Sequence, residues 1–430
     1  MALHPGDQIE LAIEKPAAGG RMLARHEGQV ILVQGAIPGE RVRARIGRVE
    51  RQLAFGEAVE IITASSDRCQ APVDLACGGC LYAHIAYERQ RALKAEVVRD
   101  AFARLGRIEV APPAVAASPE TGYRMRARLH VRGDRIGFYR EGTHDLCDAA
   151  ATRQLNYRAI DAAARAVGAF TAAGLSLSAV ELTENLAGSE RVMHTIPAEG
   201  SDLSQPAIDG ALAAGGLTGC TGRSAAGIIR TAGIPVVTDP LAALTGGAAT
   251  AGVLQRHAES FFQANRYLLP ALVQAVVEAI PAEGTVLDLY AGVGLFSVCL
   301  AASGRKRLTA VEGDRTSGKD LKRNAAAYAG DLQVVVASVE DYLLRRNPRA
   351  QTILVDPPRT GMSREAMQSI VRVRAGRIVY VSCDPATMAR DARRLVDAGY
   401  ELKSLEAFDL FPNTPHVESL GVFVRRAAGA

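Results

Sequence analysis

Thr285-Val-Leu-Asp-Leu-Tyr290-Ala-Gly-Val-Gly294-Leu-Phe-Ser297 is the stretch on which the fold turns. It reads as a strand over 285–290, a glycine turn, and a helix over 294–302. Working outward, strands are predicted over 307–312, 332–336, 351–356 and 377–382, each separated from the next by a helical pattern. Residues 400–410 and 419–424 read as a final antiparallel pair. This strand–helix alternation predicts an open, doubly wound α/β sheet across 256–430.

Ligands of such sheets bind beyond the carboxyl ends of the strands, so the strand-end residues are the candidate site. The first strand offers Tyr290, Gly292 and Gly294, with Ser297 where a dinucleotide fingerprint needs its third glycine. Glu312 ends the second strand twenty residues after Gly292, where an acid can hold two ribose hydroxyls. A dinucleotide and S-adenosylmethionine both suit that pattern. The second has no pyrophosphate to cradle, so the short glycine set favours it. Asp356 ends the fourth strand, and the Pro357-Pro358-Arg359 that follows stiffens the turn and holds a carboxylate at the cleft. Cys383 ends the fifth and is a candidate nucleophile where its surroundings favour the thiolate. Lone cysteines are more often packing residues, the reading given to Cys220 and Cys299. Ahead of the last strand, His416 and Glu418 are two side chains able to move a proton.

Upstream, residues 1–65 carry short alternating runs at 29–34 and 40–46, punctuated by Gly19-Gly20, Gly35 and Pro38-Gly39. They predict a small all-β barrel. Arg41, Arg43 and Arg45 share one face there, as solvated surface or as RNA contact. Residues 66–255 read as mixed α+β, with a helical pattern over 84–106 and an alternating strand over 123–132. On that strand Arg124, Arg126 and Arg128 share a face suited to phosphates, which guanidinium binds bidentately. Cys69, Cys77 and Cys80 crowd into twelve residues and ask for a metal or cluster.

The chain's 430 residues allow two to four domains. Its 48% hydrophobic and 22% charged composition is that of a globular protein. No apolar run is long enough for a transmembrane helix. The opening MALHPGDQIE has acids and a proline where a signal peptide needs bases and an apolar core, so a cytoplasmic location is expected. A formal charge of +4 says little about partners. Seven cysteines, an odd number, argue against a disulfide framework.

Asp288-Leu-Tyr-Ala-Gly-Val-Gly-Leu-Phe-Ser, Asp356-Pro-Pro-Arg, Ser382-Cys-Asp-Pro-Ala-Thr, His416-Val-Glu and Phe261-Phe-Gln-Ala-Asn265 together resemble the motifs of the bacterial RNA uracil-C5 methyltransferases. The resemblance spans nearly the whole chain. It implies a TRAM-like, OB-like RNA-binding barrel at 1–65 and a central α+β domain with an iron–sulfur segment at 66–255. At 256–430 it implies a Rossmann-like class I methyltransferase domain that uses S-adenosylmethionine. By the same resemblance Cys383 is the nucleophile and Glu418 the base. Gln263 and Asp356 orient the uracil, and Phe261 stacks near it. Gln263, Tyr290, Gly292, Glu312 and Asp356 line the cofactor site. Arg124, Arg126 and Arg128 become substrate contacts to an RNA whose target base is flipped out.

The resemblance also implies Cys69, Cys77, Cys80 and Cys147 as ligands of a [4Fe-4S] cluster. Here Cys69 and Cys77 are separated by seven residues instead of the family's usual five, and Thr152 stands where the fourth cysteine is expected. Zinc on Cys69, Cys77, Cys80 and His84 is the alternative. Ser338 stands where many relatives carry an acid near the adenine, which leaves that contact unassigned. The expected substrate is ribosomal RNA, 23S rRNA in particular, because the tRNA branch typically lacks the barrel and the cluster. Other readings are a tRNA methyltransferase, a non-catalytic RNA-binding protein that kept the fold, and a dehydrogenase resting on Gly-x-Gly alone. No membrane partner is expected, and nothing asks for more than a monomer.

Overall fold

A computed structural model describes residues 3–71 and 73–426. Strands Gln8–Pro16, Met22–His26, Gln29–Gln34, Arg41–Val49 and Leu53–Thr63 close into a barrel. Alternation along Arg41–Val49 sends Val42, Ala44 and Ile46 into the barrel core and turns the arginines outward. There Arg41 and Arg43 each lie 3.2 Å from a Glu10 oxygen, Arg43 also pairs with Glu60, and Arg45 pairs with Glu57. The face neutralises itself with its neighbours' acids, which favours the solvated-surface reading over RNA contact.

The central region is a seven-stranded sheet, in the order Ile229–Gly233, Gly219–Arg223, Arg191–Pro197, Leu177–Glu184, Arg126–Arg132, Arg135–Tyr139, Leu146–Asp148. Helices Tyr157–Ala172 and Gln205–Gly215 cover one face, where Leu129, Phe138, Val180 and Met193 join Ala163 and Ile208 in one core. The helices are capped by side chains: Asn156 accepts from Arg158 N and Ser204 from Ala207 N.

The C-terminal sheet has the order Leu332–Val336, Leu308–Glu312, Val286–Leu289, Thr352–Val355, Arg377–Ser382, Glu418–Arg425, Tyr400–Phe408. The first five strands are parallel, and Glu418–Arg425 runs antiparallel between Arg377–Ser382 and Tyr400–Phe408. Val286–Leu289 and Thr352–Val355 are buried at every position because helices cover both faces. An eighth strand, Val115–Ala116, comes from far upstream and pairs with Ala407 and Phe408.

Helix Tyr87–Ala101 joins the parts. Its Leu93 packs in the barrel core, while Ala95, Val98 and Ala101 share a core with Ile378, Tyr380 and Met388 of the C-terminal sheet. Between these contacts Lys94 Nζ lies 2.5 Å from Asp409 Oδ1, and both side chains are fully buried. Lys94 also donates to the Phe411 carbonyl at 3.1 Å. One turn earlier, Gln90 gives and takes hydrogen bonds of 2.9 Å with Asn413. Among the described residues, no helix is long and apolar enough to cross a membrane.

Removing one partner of a buried ion pair costs about 3–5 kcal/mol, because the other charge is left without a partner. Lys94→Met should therefore lower the urea midpoint strongly, whereas Lys94→Met combined with Asp409→Leu should recover most of the loss. Equal midpoints for Lys94→Met and the unaltered protein would show that the pair carries no such weight.

Candidate active site

Strand direction builds the site. Glu418–Arg425 is antiparallel to Arg377–Ser382, so its first residue lies at the edge where the parallel strands end. Ser382 pairs with Ser419, which sets Cys383 and Glu418 side by side at that edge. Asp384 then caps helix Pro385–Asp397 by accepting from Thr387 N at 2.7 Å, and this holds the turn that carries Cys383. Asp356 stands at the end of the next strand but one from Glu418, with Gln263 Nε2 donating to its Oδ2 at 3.4 Å. Arg359 lies near enough to Cys383 for its charge to favour the thiolate.

The segment that presents Gln263 is clamped from both sides. Phe262 is buried under the guanidinium of Arg256, 4.0 Å from its ring centroid, and Arg256 is itself buried against Asp239. Asn265 Nδ2 donates to Ser118 Oγ at 2.9 Å and to the Leu410 carbonyl at 3.0 Å. Its Oδ1 accepts from Tyr267 N and Leu268 N. Phe261, by contrast, is 65% exposed.

Charge is concentrated here. Burial, then the charge of Asp356, raises the Glu418 carboxyl well above its usual range, and Arg359 opposes the shift. Burial pushes Asp356 up to about 7, with Gln263 pulling it down. Burial and the Glu418 charge push the Cys383 thiol up to about 11, again opposed by Arg359. Cys383 is therefore a thiol at rest, and Arg359 is the group that favours its thiolate. Cys383 and Glu418 are brought together as expected. His416 is exposed at the mouth of the site, edge-on to Phe411 at 6.0 Å. The motif alone gives Arg359 no role, although its place after two rigid prolines at a strand end is a readable signal.

On the cofactor side, Glu312 Oε2 accepts from Gly292 N and its Oε1 from Asp314 N, both at 2.6 Å. Gly292 has φ +57°, and a Cβ built on it meets nothing within 4 Å, so this turn borders open space. Gly294, at φ +93°, is tight instead: a Cβ would lie 2.7 Å from Leu321 Cδ1. Tyr290 also holds a positive φ of 64°, a conformation rare for a bulky residue. Both carboxyl oxygens of Asp288 are buried without a hydrogen-bond partner. Burial pushes Asp288 up to about 8, and the charges of Asp356 and Glu312 add to the rise. A nucleoside with a cationic tail fits this set. Glu312 suits ribose hydroxyls, and Asp288 would regain its charge beside an ammonium. Ser338 caps helix Val339–Arg346 by accepting from Asp341 N at 3.1 Å, which gives it a structural reason to be there.

Two expectations need correction. The arginine row is not one surface. Arg124 precedes strand Arg126–Arg132 and is tied inward, donating to Gln154 Oε1 at 2.8 Å with its guanidinium 5.4 Å from Phe138 and 5.7 Å from Phe411. Arg126 pairs with Glu181 at 3.0 Å. Of the three, only Arg128 is exposed.

The expected cluster ligands are assembled only in part. Cys77 and Cys147 are joined as a disulfide, with Cα atoms 5.8 Å apart. Cys80 packs beside them, but Cys69 is exposed with its Sγ 3.6 Å from the Ala83 carbonyl. The longer Cys69–Cys77 spacing leaves Cys69 on the barrel side, where its N–H donates to the His84 carbonyl. Thr152, at the expected fourth position, donates to the Ala149 carbonyl. His84 places Nε2 3.3 Å from the Ala36 carbonyl of the barrel. Among the described residues no group of three or more His, Cys, Asp and Glu side chains could hold a metal ion. Among the described residues the structure therefore shows no assembled site for a [4Fe-4S] cluster or for zinc.

Comparison with known proteins agrees with the geometry. Residues 249–427 match the family model described as tRNA (Uracil-5-)-methyltransferase, and residues 3–59 match the TRAM domain. The chain is 32% identical to the 23S rRNA (uracil(1939)-C(5))-methyltransferase RlmD of Pseudomonas putida, over 97% of this chain and 94% of that one. It is also 32% identical to the RlmD of Methylococcus capsulatus, over 98% of each. The solved structure of Pyrococcus abyssi tRNA (uracil-54, C5)-methyltransferase with S-adenosyl-L-homocysteine superposes with a TM-score of 0.76 at 25% identity, covering 96% of this chain and 99% of that one. The chain belongs to the TRAM-containing RNA uracil-C5 methyltransferases. It is an S-adenosylmethionine-dependent enzyme of that class, and the dehydrogenase and non-catalytic readings fall away.

The raised Asp288 carboxyl has a consequence for stability. A folded-state pKa of about 8 lies above the usual 3.8, so the folded protein holds this proton more tightly than the unfolded chain does. The contribution is greatest below about pH 4 and is lost as pH rises through about 8. Unfolding free energy of the ligand-free protein should fall between pH 5 and pH 8, and Asp288→Asn should make that fall shallower. Parallel curves for the two proteins would refute the assignment.

Proposed function

We propose that the chain methylates carbon 5 of a uridine in 23S rRNA, in the cytoplasm, through a covalent adduct between Cys383 and carbon 6 of the uracil. The observation that carries the proposal is the strand register that sets Cys383 against Glu418 beside the Asp356–Gln263 pair. Gln263 and Asp356 hold the uracil edge. With a pKa near 7, Asp356 can donate to or accept from a uracil oxygen at neutral pH. Cys383 gives its proton to solvent, at a cost that Arg359 lowers, and the thiolate adds to carbon 6 and moves negative charge to carbon 5. S-adenosylmethionine supplies the methyl group, and Asp288, Tyr290, Gly292 and Glu312 are the residues that would hold it. Glu418 then takes the proton from carbon 5, and the electron pair expels the Cys383 thiolate. A buried carboxylate with raised proton affinity is a stronger base than one in water. Phe261, exposed at the entrance, suits stacking of a flipped base.

A second RNA is favoured by one observation. The Pyrococcus abyssi tRNA enzyme matches this chain over 96% of its length, barrel region included, so the barrel does not by itself select ribosomal RNA. The full-length likeness to proteins named for 23S rRNA supports the first reading. Mapping 5-methyluridine in rRNA and tRNA from a strain lacking the gene separates them. Loss from tRNA alone would overturn the 23S assignment.

The mechanism makes a sharper claim. Cys383→Ala should lower methylation by orders of magnitude. Glu418→Gln should still add and methylate but release slowly, so that a protein–RNA band survives a denaturing gel. RNA carrying 5-fluorouridine should trap the unaltered enzyme in the same way. His416→Gln should turn over without accumulating adduct. Methylation that persists in Cys383→Ala, with no trapped band under any condition, would sink the covalent mechanism.

A further inference from the structure

The open face of the central sheet carries a second group of rings, away from the catalytic edge. Alternation along Arg126–Arg132 and Arg135–Tyr139 sends Ala127, Leu129, Ile136 and Phe138 into the core beneath the helices. The opposite face of this hairpin therefore presents Arg126, Arg128, His130, Arg132, Arg135 and Tyr139, with no acid among them. The His130 imidazole stacks on the Tyr139 ring at 3.6 Å between centroids and 13° between planes. His144, from the loop after Tyr139, meets that ring edge-on at 5.2 Å and 74°. His130 and Tyr139 are half-buried and His144 is exposed, and Tyr139 lies outside the core beneath the helices. Two acids face this hairpin from its neighbouring strands: Glu181, opposite Arg128 and paired with Arg126, and Asp148, opposite Gly137.

The face is continuous with the cleft. The Arg126 guanidinium sits 5.8 Å from the centroid of Phe261, at the entrance. His130 lies four residues further along the same strand, about 13 Å away at the usual rise per residue. Rings flanked by guanidinium groups, reached by a basic path from the target site, match the chemistry of single-stranded RNA. The bases stack and the phosphates follow the arginines.

We propose that His130 and Tyr139 form a stacking platform for an unpaired nucleobase of the substrate RNA flanking the target uridine, with Arg128 and Arg135 on its phosphates. The proposal rests on the RNA-methylation reading and adds to it a second base-binding subsite. Because stacking reads the face of a base, the subsite selects unpaired over paired nucleotides and is tolerant of sequence. A structured RNA is then engaged at two points, the flipped uridine in the cleft and a neighbour on the sheet.

The absence of tryptophan from the chain gives a direct test, since Tyr139→Trp makes the only indole. The full-length variant is titrated with an eight-nucleotide oligoadenylate and with a ribose-phosphate octamer lacking bases. Oligoadenylate should quench the fluorescence, and the base-free chain should not. Tyr139→Ala and His130→Ala should weaken oligoadenylate binding about tenfold while leaving the base-free chain unaffected, and Tyr139→Phe should bind like the unaltered protein. An unquenched indole at saturating oligoadenylate, or wild-type affinity in Tyr139→Ala, overturns the platform. Quenching together with an unaltered enzyme that methylates no rRNA or tRNA would instead fail the methylation reading and leave the platform standing as an RNA site. Methylation without quenching fails the platform alone.

Discussion

The buried pair between Lys94 and Asp409 is the constraint on which the catalytic edge depends. Asp409 directly follows strand Tyr400–Phe408, and the residues after it carry His416 and lead into Glu418. Lys94 sits on the helix whose other contacts reach the barrel core and the C-terminal core. Burial pushes its ammonium pKa down, and Asp409 pushes it back up. A buried charge tolerates few positions, because only one geometry supplies its partner. The pair therefore fixes where the segment 409–416 can lie, and Gln90 with Asn413 repeats the constraint one turn away. Asn265 extends the clamp to a third segment by reaching both Ser118 and the Leu410 carbonyl. Residues far apart in sequence thus converge on the loop that delivers the proposed base.

That rigidity allows an unfavourable electrostatic arrangement to persist. Asp356 lies within reach of both Asp288 and Glu418, and burial raises all three. Packing that holds them in place stores a demand for positive charge that ligands can meet. Arg359 meets part of it at Cys383 and Glu418. A sulfonium nucleoside with an ammonium group would meet more. A site of this kind binds a cation and a proton-accepting reaction centre better than it tolerates being empty of both, which is the direction catalysis by preorganised charge requires.

The C-terminal sheet was legible in the sequence because its parallel strands are buried on both faces and end at chemistry-bearing residues. Leu332–Val336 and Arg377–Ser382 fall where the pattern placed them, and the final antiparallel pair follows from the same reading. What was not legible were partnerships across distance. Nothing local to Lys94 announces Asp409, and nothing local to Asn265 announces Ser118. The arginine row misled for a related reason. Alternation assigns a face, but it does not say that Arg124 falls before the strand begins and turns onto Gln154, or that a neighbouring strand supplies Glu181 to Arg126. Spacing alone also could not decide the cysteines. Two extra residues before Cys77 leave Cys69 hydrogen-bonded beside His84, while Cys147 comes from the other direction to meet Cys77.

The two basic faces show why charge has to be judged with its neighbours. Arg41, Arg43 and Arg45 look like an RNA surface in one dimension, but strands on either side place Glu10, Glu57 and Glu60 against them. Counterions need not be released from a surface that supplies its own, so this face gives little to a polyanion. The hairpin Arg126–Tyr139 has a different neighbourhood. One side of it is a strand that contributes Glu181 to Arg126, and the other is the short strand Leu146–Asp148, whose Asp148 stands opposite Gly137. Arg128 and Arg135 are exposed and, unlike the barrel's arginines, are not closed into ion pairs among the described residues, and they flank rings that lie outside the core beneath. If RNA is gripped away from the flipped base, the sheet is physically better prepared for it than the outer face of the barrel.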